Sequence, residues 1–167
     1  MIFKYAHFTI DVDVERTRAF YQRADVPTMG EQCGCIPCQN FEKAILKAPD
    51  TVLDALRVLG IDPQKPAETF SITGDMEEDG TIWYNGWYHL CGTITESPEV
   101  IQEMPLDRGG AAFSYRWEYC YKPDPQFPFA VLPVRRAYLL HQDFPTPVFQ
   151  LEIDVRLPYV LDIPFKR

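Results

Sequence analysis

The chain has 167 residues, with 24 acidic against 16 basic side chains and a net charge of −8. Hydrophobic residues make up 46% and aromatics 14%, enough for a core rich in Phe, Tyr and Trp, which excludes disorder over most of the length. An acidic surface repels nucleic acid and anionic lipid, so neither is expected as a partner; an unidentified small molecule or protein is.

Residues 1–12 alternate in polarity rather than forming an apolar leader, and no apolar stretch approaches a membrane span. Five cysteines are an odd number, and three of them fall within six residues. This fits a reducing, cytoplasmic compartment better than a disulfide framework. No repeat, linker or low-complexity segment interrupts the chain, which predicts one domain over residues 1–167. Fifteen prolines, densest after residue 123, predict turns and strand ends in the second half.

In chain order, residues 2–12 alternate and predict a strand with Ile2, Ala6, Phe8, Ile10 and Val12 on one face. Asp13 can cap a helix through about Ala24, with Thr17, Ala19, Phe20 and Tyr21 inward. Residues 27–34 read as a loop. Pro37 suits a first helical turn, so a helix is expected over residues 37–47. Asp50 can cap the next, in which Val52, Leu53, Leu56 and Leu59 recur at helical spacing before Gly60. A hairpin follows, with Phe70 and Ile72 on one face and turn residues at 77–80. Its second strand, residues 81–95, carries large groups on both faces and should be central. Residues 112–121 and 149–157 alternate as half-exposed antiparallel strands. The predicted fold is α+β: a curved antiparallel sheet with two to three helices from the N-terminal third packed on one side. Leu53, Leu56, Ile82, Leu90, Trp117, Leu151 and Ile153 are the predicted core.

Four segments carry a resemblance: Cys33-Gly-Cys-Ile-Pro-Cys-Gln-Asn-Phe41, Leu59-Gly-Ile-Asp-Pro-Gln-Lys-Pro-Ala-Glu68, Tyr84-Asn-Gly-Trp-Tyr-His-Leu-Cys-Gly92 and Gln150-Leu-Glu-Ile-Asp-Val-Arg-Leu-Pro-Tyr-Val-Leu-Asp162. In this order they resemble an uncharacterised family of small bacterial cytosolic proteins. The resemblance implies a bacterial cytosolic protein and carries no activity and no site residues with it.

The motif with most chemistry is Cys33, Cys35 and Cys38, a C-x-C-x-x-C just before a helix. Thiolates are soft ligands, and a helix N-terminus lowers a thiol pKa. Three sulfurs in one loop can hold zinc if a fourth ligand exists. His89 and Cys91, on one face of the central strand, are the expected fourth-ligand candidates, with His7 and Cys120 behind them. The plain alternative is three reduced cysteines filling a crowded loop. The aromatic pairs Trp83–Tyr84 and Trp87–Tyr88 read first as core and second as a pocket wall. Residues 75–80 lack the ligand order of a calcium loop. No phosphate-cradling glycine loop, G-x-S-x-G or H-E-x-x-H occurs. Three readings follow: a non-enzymatic binding or interaction domain, a zinc-binding protein using the cysteine loop, or a thiol enzyme with His89 as base. The absence of a catalytic motif favours the first.

Overall fold

The computed structural model describes residues 1–105 and 111–165. Eight strands are described: β1 (Ile2–Lys4), β2 (Thr9–Val12), β3 (Glu68–Ser71), β4 (Thr81–Glu96), β5 (Ile101–Pro105), β6 (Ala111–Tyr115), β7 (Phe129–Val134) and β8 (Val148–Pro158). Four α-helices precede β3: α1 (Val14–Tyr21), α2 (Met29–Cys33), α3 (Ile36–Ala44) and α4 (Asp50–Arg57). Six strands form one open antiparallel sheet in the order β1-β2-β4-β8-β7, with β3 also paired to β4. Strands β5 and β6 form a separate two-stranded ribbon. The α+β class and the antiparallel sheet are as the alternation predicts. No described helix is long and apolar enough to cross a membrane.

The sixteen residues of β4 organise the sheet. One edge runs beside β8 from Thr81↔Pro158 to Cys91↔Val148. The other edge is shared: β3 pairs with residues 84–87 and β2 with residues 92–96. Between those partners lies a gap, and α1 fills it with side chains. The Tyr21 hydroxyl accepts from His89 N at 3.0 Å and donates to His89 O at 3.1 Å. Thr17 Oγ1 accepts from Cys91 N at 3.1 Å, and Asp13 N donates to Cys91 O at 2.8 Å. Thr17, Tyr21, His89 and Cys91 are all buried, and a buried amide left unpaired is costly, so the two hydroxyls and the Asp13 amide stand where a strand would otherwise be needed.

Alternation on β4 and β8 is realised closely. Ile82, Tyr84, Tyr88 and Leu90 are buried, as are Phe149, Leu151, Ile153, Val155 and Leu157. Leu53 and Leu56 of α4 complete the same core. Asp13 caps α1 as expected, accepting from Arg16 N, although α1 ends at Tyr21 and Ala19 is exposed. The third helix ends at Ala44 and tightens into a 3-10 turn over Ile45–Lys47. Pro49, rather than Asp50, is the N-cap of α4.

Several expectations are corrected. Residues 2–12 are not one strand but a hairpin, with Ile2 opposite Asp11 and Tyr5 and Phe8 closing the turn. Phe70 and Ile72 do share one face, as expected, and that face is the outer one, 47% and 39% exposed. Their strand pairs so that Thr69 meets Gly86 on the inner face, and a side chain at Gly86 would collide with Glu68 O at 2.4 Å. The strand expected over residues 112–121 breaks at Arg116 into a 3-10 turn over Trp117–Tyr119, so Trp117 is only partly buried. The polar face of β8 is not half-exposed at Gln150 and Glu152. Both are buried, because the chain after β7 folds across this face, where Tyr138 N donates to Gln150 Oε1 at 2.7 Å.

Two stability outcomes follow. Tyr21→Phe strands both backbone groups of His89, and Thr17→Val strands one at Cys91. Each unpaired group should cost roughly 1–3 kcal/mol, so chemical denaturation should show the larger loss for Tyr21→Phe. Leu151→Ala should cost roughly 2–5 kcal/mol; a loss under about 0.5 kcal/mol would place that side chain at the surface.

Candidate metal centre

The cysteine loop is a corner between two helices. Thr28 and Glu31 form a capping box at the start of α2, a T-x-x-E signature present in the sequence where only a loop was expected. The helix stops at Gly34, whose φ of +72° belongs to the left-handed region and favours glycine. This reversal folds Cys33 back over Cys35. Cys35 is the N-cap of α3 and Cys38 lies three residues on, at a spacing that puts both side chains on the same side of the first turn. Pro37 sits within that turn, where its missing N–H is not needed.

The corner is held from several sides. Glu42 Oε2 accepts from Gly30 N at 3.0 Å and Thr28 Oγ1 at 2.9 Å. Gln39 Nε2 donates to Gly34 O at 2.7 Å. The Tyr84 hydroxyl donates to Pro37 O at 2.9 Å and accepts from Asn40 Nδ2 at 3.1 Å. Thus the corner is tied to β4 at Tyr84.

The three sulfurs converge. All lie within 4.8 Å of one another, and those of Cys33 and Cys35 are 3.1 Å apart. Cys33 and Cys35 are exposed, whereas Cys38 is buried against β3, 4.0 Å from Thr69 O. The Cys35 side chain, its backbone N–H and the Cys38 thiol all favour the thiolate at Cys33 and lower its pKa, against burial and the nearby Glu68 carboxylate. Burial, followed by hydrogen bonding with Cys35 and Cys33, pushes Cys38 up. The first thiolate therefore forms at the exposed end of the cluster. Zn–S bonds of about 2.3 Å at tetrahedral angles set sulfurs about 3.8 Å apart, inside the 4.8 Å within which all three sulfurs lie. The cluster can hold a metal ion.

His89 and Cys91 are not among the gathered ligand atoms. Cys38 lies beside Thr69, which pairs with Gly86. His89 is three residues farther along β4 and Cys91 five, about 10 and 16 Å at strand rise. His89 also points to the sheet face opposite Tyr84 and Tyr88, toward Phe144, with ring centroids 5.5 Å apart. Cys91 is buried near α1. His7 packs on Tyr119, and Cys120 is half-buried beyond the ribbon; neither joins the cluster. Glu68, the acid that Cys33 senses, carries no sequence signal of its own, since its place depends on β3 pairing with β4.

His89 is instead a buried neutral imidazole, 2% exposed, and its Nε2 has no hydrogen-bond partner among the described residues. Burial lowers its pKa to about 4, opposed by the Tyr138 backbone and the Gln150 side chain. On the same face, burial raises the pKa of Glu152, against hydrogen bonds from Tyr115 and Gln150. The unfolded chain binds a proton at His89 near pH 6.5 and the folded chain does not, so stability contributed by neutral His89 is complete above that pH and falls toward pH 4. The range corresponds to roughly 3 kcal/mol. Glu152 acts in the opposite sense, losing stability as pH rises through its raised pKa. Urea unfolding of the wild type and of His89→Gln from pH 7 to 4 should cancel the Glu152 contribution and leave a difference that shrinks with acidity. A pH-independent difference would mean that His89 titrates normally in the fold.

Comparison of the chain with protein-family models, curated proteins and solved structures found no match in any of the three.

Proposed function

We propose that this chain is a metal-binding domain, not an enzyme, in which Cys33, Cys35 and Cys38 supply three thiolates to a zinc ion. The convergence of three sulfurs within 4.8 Å is the observation that carries this reading. Thiolates select zinc or copper(I) over hard cations. The fourth position is left to a light donor, either water or the neighbouring Glu68 carboxylate, since Cys33 and Cys35 lie at the surface. An open fourth position suits exchange of the metal or of a ligand on it better than a purely structural role. The thiol-enzyme alternative needs a base beside the nucleophile, and His89 is not among the groups gathered at the thiols.

Protein purified under reducing conditions without chelator should carry zinc at about one ion per chain by native mass spectrometry. At free zinc 100-fold above Kd, binding adds about 2.7 kcal/mol, a rise in Tm of roughly 5–10 °C for a chain of this size. Cobalt(II) should give thiolate-to-metal charge-transfer absorption that disappears in a Cys33→Ser/Cys35→Ser/Cys38→Ser variant. A zinc-to-protein ratio near zero at micromolar free zinc, or the same ratio in the triple variant, would contradict the proposal.

A further inference from the structure

Beside the gap in β4 lies a second feature, independent of the thiols. A cavity of about 240 Å³ is walled by Phe20, Val26, Pro27 and Pro66, with Lys65, His89 and His141 among its polar lining. Among the described residues no Asp or Glu lines it. Lys65 is half-buried and donates to Tyr21 O at 2.9 Å and Arg23 O at 3.2 Å. These bonds use two of its three ammonium hydrogens. Among the described residues no carboxylate lies within ion-pair distance of it. Glu31 feels its charge, but that carboxylate accepts from Thr28 N in the capping box. A partly desolvated ammonium without a counter-ion favours an anion beside it. His141 lines the same cavity, and its Nδ1 accepts from Asp143 N at 3.4 Å.

We infer that this cavity binds a small organic monocarboxylate with a flat apolar body. The carboxylate meets Lys65, and the body lies against Phe20, Val26 and the two prolines. A 150 Å³ cavity accepts a benzene ring, so this volume admits roughly nine non-hydrogen atoms, the size of benzoate. A charge-assisted hydrogen bond is about twice as strong as a neutral one, so the site should discriminate between benzoate and its neutral amide.

The test uses the full chain with reduced thiols, titrated with sodium benzoate and with benzamide by calorimetry and methyl NMR. Benzoate should shift the Val26 and Ala67 methyl signals, and benzamide should bind about tenfold more weakly or worse. Lys65→Met should bring the two ligands to similar affinity. Ala67→Leu, which fills the cavity, should abolish both. If Lys65→Met does not fold, the wild-type ratio together with Ala67→Leu decides the matter. Equal affinity for the two ligands in the wild type, shifts confined to residues away from the cavity, or the absence of binding would each overturn the inference.

Discussion

The two pairing edges of β4 set the positions of everything else. On one side β8 pairs without interruption from Thr81 to Cys91. On the other, β3 and β2 leave the strand open around His89 and Cys91, and hydroxyls from α1 complete the backbone hydrogen bonding there. Buried amides must be paired, so α1 is fixed against β4 by Tyr21 and Thr17 as well as by apolar burial. The same geometry separates two chemically distinct places. The cysteine corner hangs from the Tyr84 end of β4, and the cavity with Lys65 opens beside the unpaired segment.

At the corner, local backbone rules generate the chemistry. A helix that ends at Gly34 and another capped by Cys35 bring the three thiols together, within 4.8 Å of one another. Their shared protons then make them unequal. Thiolate character gathers at exposed Cys33, while burial keeps Cys38 protonated. In the proposed site, a cation arriving from solvent would meet Cys33 first and would have to displace the proton of Cys38 to complete the set. Metal affinity should accordingly depend on pH and be accompanied by proton release.

Much of this fold is legible in the sequence. The strong period in Ile82, Tyr84, Tyr88 and Leu90, and again in Phe149 to Leu157, locates the central strands and their buried face, and Asp13 marks the start of α1. Other features are invisible to period alone. The hairpin at residues 2–12 keeps its alternation across the turn, so one strand and two give similar patterns. Period puts Phe70 and Ile72 on one face, but only register against Gly86 shows that this face is the outer one. Gln150 and Glu152 look solvated until the chain after β7 is seen to cover them. The same limit applies to the candidate site. Spacing brings out Cys33, Cys35 and Cys38, because their proximity is local. His89 and Cys91 are excluded by strand rise and facing, Lys65 belongs to no spacing motif, and the register that places Glu68 is likewise long-range.

X-ray absorption at the zinc edge of the metal-loaded protein addresses the three-thiolate centre most directly. The expected first shell is three sulfurs at about 2.3 Å with one nitrogen or oxygen atom at about 2.0–2.2 Å. A shell of light atoms alone, with no sulfur scattering, would contradict the account.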